Sequence, residues 1–419
     1  MNEVNLIHMG ERARLASRAV GKASHAVRTA ALEHIATALE QHRERILEAN
    51  ALDVAEGREN GLSESLLDRL NLSPRLTGII ADVRQVAQLE DPIGARFDQR
   101  VLENGLHVSR VRVPIGVFGV IYEARPNVTV DVAALTIKTG NATILRGGKE
   151  TLRSNMVLVE IMRQALIEVG LPADVIQYIE STDRRYIGEL LKLHEYVDII
   201  VPRGGEALHR FCRENSTIPV ITGGIGICHI YVDETADFDK ALSVIHNAKT
   251  NRPSVCNSLD TVLVHEQVAG VFLPRLVDHL ANSGVTLKAE PRAYALIGQQ
   301  PAVEQASAED FDTEWMALIC GVKVVSGLDE AIDHIETHSM GHSDGILSTN
   351  PEAIARFLNE VNSAAVFVNA STRFNDGGAL GLGAELAVST QKLHTRGPMA
   401  LEGMTTYKWI VEGDGTIRV

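Results

Sequence analysis

The chain has 419 residues, of which 45% are hydrophobic and 22% charged, and its formal net charge is −14. That length exceeds one ordinary core and predicts two or three domains, while the acidic balance excludes the basic footprint of a nucleic-acid binder. The longest apolar runs, such as Gly116–Tyr122, have strand length and fall far short of a membrane span.

The first twenty or so residues carry charges throughout and lack an apolar core, so no secretory signal is expected, and Glu3 and Glu11 argue against a mitochondrial presequence. Residues 1 to about 90 read as helices, with apolar positions recurring at helical spacing in Arg28–Leu47. Arg100–Val113 alternates around Asn104-Gly105 and predicts a hairpin. After Pro114, short apolar runs alternate with amphipathic ones: Val117–Ile121 and Val130–Lys138, Ala142–Leu145 and Leu152–Glu168, Val175–Ile179 and Ile187–Leu193, Val197–Val201 and Glu206–Glu214. This alternation predicts βαβ units around a parallel sheet. A second set of strands is expected at Ile227–Val232, Thr261–Val264, Val285–Lys288, Val322–Val325, Gly345–Leu347 and Ala365–Val368. Thr405–Val419 alternates around Gly413-Asp414-Gly415 and reads as another two-stranded ribbon. An isolated hairpin is marginal in water, so the two ribbons are expected to pair with each other or with another subunit, as an oligomerisation arm. The alternative is a small sheet packed on its own chain.

Cys212, Cys228, Cys256 and Cys320 lack the CxxC spacing of a zinc site or a disulfide framework and fit a reducing cytosol. Cys256 stands apart, on a polar turn between the helical stretch Asp237–Lys249 and the strand Asp260–Val264. Arg252 nearby would favour the thiolate, the reactive form. The other three cysteines read as small core residues. Gly140-Asn141 leads into a strand that ends at Arg146-Gly147-Gly148-Lys149, where glycines allow close backbone approach and the two bases suit a phosphate. A second glycine pair, Gly204-Gly205, links the strand ending at Arg203 to a helix whose N-terminus could receive an anion. A third glycine cluster, Thr222-Gly223-Gly224-Ile225-Gly226, joins two strands. The GxGxxG fingerprint is absent. His338 and His342 have no third ligand at suitable spacing, so no metal site is expected.

Taken in order, Pro114-Ile115-Gly116-Val117, Gly140–Arg146, Arg203-Gly204-Gly205, Thr222-Gly223-Gly224, Cys256, Glu314 and Phe367-Val368-Asn369 resemble the aldehyde dehydrogenase superfamily over nearly the whole chain. Tyr122–Thr129, Arg252–Asn257, Asp329–Asp344 and Val368–Phe374 resemble the acyl-phosphate-reducing branch of that superfamily. The resemblance implies an α/β fold of two Rossmann-like lobes with the active site in the cleft between them. The cofactor-binding domain would comprise 1–99, 114–226 and 387–404, the catalytic domain 227–386, and a small β oligomerisation arm 100–113 and 405–419.

The implied reaction is NADPH-dependent reduction of L-glutamyl 5-phosphate to L-glutamate 5-semialdehyde with release of phosphate, in proline biosynthesis. Cys256 matches the catalytic thiol, which would form a thioester. Arg146, Lys149, Gly204, Gly205, Gly223 and Glu314 match cofactor-binding positions. Two bases near the ribose favour NADP, and Glu314 matches the residue that holds the nicotinamide ribose. Two departures stand out. Ile221 occupies the place of the general-base glutamate of hydrolytic members, and Ala124 that of an oxyanion-hole asparagine, a role left to the Cys256 N–H and to Asn127. Arg125, Arg252 and Arg373 are candidates for the substrate's phosphate and carboxylate. A cytoplasmic homo-oligomer acting on a small molecule is expected, without nucleic acid or membrane, and functionally coupled to glutamate 5-kinase. A CoA-acylating or hydrolytic aldehyde dehydrogenase, or a non-catalytic scaffold of the same fold, are the alternatives.

Overall fold

A computed structural model describes residues 3–223 and 225–418. The chain forms two compact units, one of Met1–Thr222, Gly381–Ala387 and Met399–Val419, the other of Gly223–Leu380 and Val388–Pro398. The division falls before Gly223 rather than after residue 226. Val388–Pro398 goes with the second unit because Val388–Ser389 pairs with Gly397–Pro398 and Arg396 is bonded to the Asn362 side chain.

The first unit opens with helices Leu6–Lys22, His25–Gln41, Arg43–Glu59, Glu64–Leu70 and Leu76–Gln88. Asn5, Ser24 and Ser63 cap three of them by accepting N–H groups of the first turn. His25–Gln41 buries Arg28, Leu32, Ile35 and Leu39 at the helical repeat. Each of those apolar side chains contributes roughly 1.5–3 kcal/mol by leaving water. The stretch Arg28–Leu47, read as one helical pattern, is broken at His42 (φ −98°, ψ 18°). Behind the helices lies a parallel sheet in the order Ile176–Tyr178, Ala142–Arg146, Val117–Tyr122, Ile199–Arg203. Val117–Tyr122 is buried along its length, as expected where helices cover both faces.

Arg96–Val101 and His107–Pro114 form the expected hairpin around Gly105 (φ +83°), but its first strand begins earlier than Arg100, with a register shift after Phe97 where Asp98 is left-handed (φ +51°). The second ribbon needs correction. Thr405–Glu412 is a single strand, antiparallel to His107–Pro114, and residues 413–418 form none. One edge of Thr405–Glu412 is taken by His107–Pro114.

Among the described residues, the second unit holds a seven-stranded parallel sheet. Its order is Val303–Gln305, Thr286–Ala289, Ile319–Val325, Leu259–His265, Cys228–Val232, Ser343–Leu347, Ala365–Val368. The central strands Leu259–His265 and Cys228–Val232 are wholly buried. No helix among the described residues is long and apolar enough to cross a membrane.

Candidate active site

Helix Phe238–Thr250 begins at Asp237, which caps the Lys240 N–H, and ends against a run of turns leading to the strand Leu259–His265. Cys256 lies in those turns and is half-buried, whereas Cys212, Cys228 and Cys320 are sealed. Burial pushes the Cys212 and Cys320 thiols up to about 12, and the Cys228 thiol upward as well, so none of the three supplies a thiolate near neutral pH. Cys256 is therefore the accessible sulfur.

The backbone around Cys256 is closely held. A β-carbon at Gly226 would stand 1.6 Å from the Cys256 carbonyl oxygen, so only glycine allows this approach. The Gly226 N–H donates to Glu314 Oε1 at 3.1 Å, and burial raises the Glu314 carboxyl above its ordinary range. The Cys228 thiol donates to the Cys256 carbonyl at 3.2 Å. On the next residue, the Asn257 amide donates to the Asn375 carbonyl at 3.2 Å and the Asn257 carbonyl accepts from Thr372 Oγ1 at 2.7 Å. This stitches the Cys256 turn to the segment carrying Arg373. The Arg373 guanidinium is lowered, first by burial and then by the like charge of Arg252, with the Cys256 sulfur among the groups that offset this. Arg373 donates to the Asn251 side chain at 3.3 Å. Neither arginine makes a salt bridge among the described residues.

In the first unit, the carboxyl ends of three adjacent strands carry Arg146, Tyr122 and Arg203, with Ile121 opposite Arg146 and Tyr122 opposite Arg203. Gly147-Gly148 and Gly204-Gly205 follow directly. Lys149 is exposed, but Arg146 is nearly buried and donates to the carbonyls of Gly147 (2.9 Å) and Thr182 (3.3 Å). Its Nε is buried with no partner among the described residues. Helix Glu206–Asn215 starts at Gly205 without a side-chain cap, and the Gly205 N–H donates to Glu123 at 3.1 Å. Asn127 opens helix Asn127–Lys138 and donates to Asp131 at 2.9 Å, and burial raises Asp131 to about 6. Ala124 donates its N–H to Glu150 at 2.9 Å, and Ile221 is sealed in the apolar core.

Cys256, Glu314, Arg252 and Arg373 thus gather within the second unit, which also includes Gly223. Arg125, Asn127, Arg146, Lys149, Gly204 and Gly205 belong to the first. Gly224 lies outside the described residues. Among the described residues, no group of three His, Cys, Asp or Glu side chains is disposed to hold a metal. Sequence reasoning missed Arg203, Glu123 and Asn257, all inside motifs it had marked for other residues. It also missed Lys249 and Asp260, whose one signal is a carboxylate at the start of an otherwise apolar strand.

A thiol on a turn at the amino side of one parallel sheet, and paired glycines after the strands of another, define an oxidoreductase of one known architecture. The family model described as "Aldehyde dehydrogenase family" matches residues 2–298, and the chain belongs to that family. It is 56% identical over 416 residues to the Gamma-glutamyl phosphate reductase of Psychromonas ingrahamii, covering 99% of this chain and 100% of that one. It is 57% identical over 415 residues to the protein of the same name from Cronobacter sakazakii, with the same coverage. The crystal structure of Gamma-glutamyl phosphate reductase from Thermotoga maritima matches with a TM-score of 0.96 at 44% identity, covering 99% of this chain and 100% of that one. Within the family, the chain groups with these reductases.

Proposed function

We propose that this chain reduces L-glutamyl 5-phosphate to L-glutamate 5-semialdehyde, releasing phosphate, with Cys256 as the covalent nucleophile. The observation that carries this reading is the half-buried Cys256 thiol, held between Gly226 and the Arg373 segment, in a chain more than half identical to reductases of that name. The Cys256 sulfur bonds to the acyl carbon as the carbon–oxygen bond to phosphate breaks. Arg252 and Arg373 receive the departing phosphate or the substrate carboxylate, as two like charges, the first lowering the second, that make no salt bridge among the described residues. Arg125 is a further anion ligand. The oxyanion is met by the Cys256 N–H and by Asn127. With Ile221 in place of a general base, water attack on the thioester goes unassisted. Collapse of the reduced adduct breaks the carbon–sulfur bond, frees the aldehyde and restores the thiolate.

The cofactor of the family is a nicotinamide dinucleotide, which supplies the hydride when bound, and the residues present fit it. Among the described residues, Arg146 has a buried nitrogen without a partner, and the helix after Gly205 has no side-chain cap. Arg146 and Lys149 favour the 2′-phosphate of NADP, Gly204, Gly205 and Gly223 line the dinucleotide, and Glu314 holds the nicotinamide ribose. The first unit is then the cofactor-binding domain and the second the catalytic one. The three-stranded sheet serves as the arm of a cytoplasmic homo-oligomer. Because acyl phosphates hydrolyse readily, coupling to glutamate 5-kinase suits the reaction.

The test is the reverse assay with glutamate 5-semialdehyde, NADP or NAD, and inorganic phosphate. Phosphate-dependent NADPH formation that disappears in Cys256→Ala is expected. Turnover without phosphate, a requirement for coenzyme A, or undiminished activity of the variant would overturn the reading.

A further inference from the structure

The strand Leu259–His265 is buried throughout, yet it carries a carboxylate at its second position. Asp260 is 2% exposed and lies 3.7 Å from Lys249 Nζ, itself fully buried at the end of the helix that leads into the Cys256 turn. A charge pair sealed in this way is weak evidence for stability and asks for another reason.

That reason lies in what Asp260 holds. Its Oδ2 accepts the Cys228 N–H at 3.3 Å, and its Oδ1 accepts the Trp315 N–H at 3.1 Å. Cys228 in turn donates its thiol to the Cys256 carbonyl, and Trp315 follows Glu314, whose carboxylate takes the Gly226 N–H. Gly226 packs its Cα against that same Cys256 carbonyl. The links close into a ring running from Asp260 through Cys228, Cys256, Gly226, Glu314 and Trp315 back to Asp260.

We propose that Asp260, kept as a two-oxygen acceptor by Lys249, is a positioning residue that sets the spacing between Cys256 and Glu314. This role rests on the reading above, in which the first residue carries the acyl group and the second holds the hydride donor. Lys249 is needed because burial alone would protonate the carboxyl. Even with the lysine and two backbone donors opposing it, burial lifts Asp260 to about 6. A protonated oxygen would be a weaker acceptor for the backbone N–H and would bring a buried O–H donor that needs a partner of its own. Lys249 is itself anchored by the Leu259 carbonyl at 2.7 Å, so its ammonium stays beside the carboxylate.

Asp260→Asn keeps the volume but turns one acceptor into a donor, and Cys228→Ala removes a different link of the ring. The measurements are kcat, the KM for NADP, the rate at which iodoacetamide alkylates Cys256, and the kinetic isotope effect with deuterated semialdehyde. For Asp260→Asn we expect kcat to fall roughly 100-fold, as for a misplacement of about 1 Å. The alkylation rate and KM are expected to stay within about threefold, as a loss of position rather than of reactivity or binding requires. The isotope effect should rise as hydride transfer becomes rate-limiting. Cys228→Ala should follow the same pattern at smaller amplitude, and it decides the matter if Asp260→Asn does not fold. Wild-type kcat in the variant, or a kcat loss matched by an equal loss of Cys256 alkylation, overturns the role. Absence of phosphate-dependent turnover in the wild type sinks the reaction assignment and takes the role with it. Wild-type turnover with an unaltered variant sinks the role alone.

Discussion

Gly226 and Cys256 touch through backbone alone: the space a β-carbon would need at 226 is filled by the Cys256 carbonyl, 1.6 Å from where that carbon would lie. No side-chain rotation relieves such a clash, so Gly226→Ala must move one of the two segments. Either movement disturbs the Gly226 bond to Glu314 or the turn that presents the sulfur. The expected outcome is a kcat reduced at least ~100-fold, with near-normal far-ultraviolet circular dichroism. Retention of wild-type kcat would show that the two segments separate freely.

A second prediction concerns the two arginines. Arg373 is partly buried, lowered by burial and by Arg252, and tied to the Cys256 turn through Asn257 and Asn251. An anion between like charges is bound strongly because it relieves their repulsion and gains charge-assisted hydrogen bonds. Arg373→Gln should therefore raise the KM for phosphate in the reverse assay by roughly 10- to 100-fold, the equivalent of ~1.5–3 kcal/mol for a bond to a charged group. The KM for NADP is expected to change little. An unchanged KM for phosphate, measured by initial rates over a phosphate series, would assign Arg373 to structure alone.

The parallel sheets were legible because buried strands read as short apolar runs between amphipathic helices, as at Val117–Tyr122 followed by Asn127–Lys138. Features that depend on tertiary partners were not. The break at His42 has no glycine or proline to announce it, and the edge strand Val303–Gln305 is too short and polar to show a pattern. Thr405–Glu412 pairs with His107–Pro114, as the two alternating ribbons led one to expect, but the alternation around Gly413-Asp414-Gly415 read as a second strand where there is none among the described residues. At the candidate site, Cys256 and the glycines stood out because turns expose reactive groups and close approaches demand glycine. The Asp260 ring did not, since Lys249, Asp260 and Trp315 meet only through packing. Arg146, read from its neighbours as an open phosphate ligand, also bonds two backbone carbonyls of its own unit, which no local pattern encodes.

The third prediction is a pH dependence of stability. His342 is buried, has one ring nitrogen 2.8 Å from Ser343 Oγ, and leaves Nε2 without a partner among the described residues. Burial pushes it down from 6.5 to about 4, against a smaller opposing pull from Asp344. The unfolded chain therefore binds a proton that the folded one refuses between those values. The stability His342 contributes is intact above about pH 6.5 and lost as the pH falls toward 4. By about pH 5 the loss is ~2 kcal/mol. His342→Gln cannot take up that proton, so between about pH 8 and pH 5 it should lose ~2 kcal/mol less than the wild type in urea denaturation. Parallel losses would mean that the folded protein accommodates the protonated ring.

The last prediction concerns the three-stranded sheet. Thr405–Glu412 is an outer strand, paired on one side with His107–Pro114. Arg110 stacks on Tyr407 and Trp409 at 4.6 and 4.5 Å, which holds their rings against the sheet, yet both rings remain 45% exposed and Val411 57%. An outer strand with apolar side chains is a template for pairing with another chain, and proteins that stay monomeric blunt such edges with charge. The proposed oligomer would use this strand, so a charge at a position outside the Arg110 stack tests it without disturbing the sheet. Val411→Glu should shift sedimentation velocity profiles from the oligomer toward the monomer at equal protein concentration. A monomeric wild type, or an oligomer indifferent to the new carboxylate, would leave the sheet packed on its own chain and move any subunit contact elsewhere.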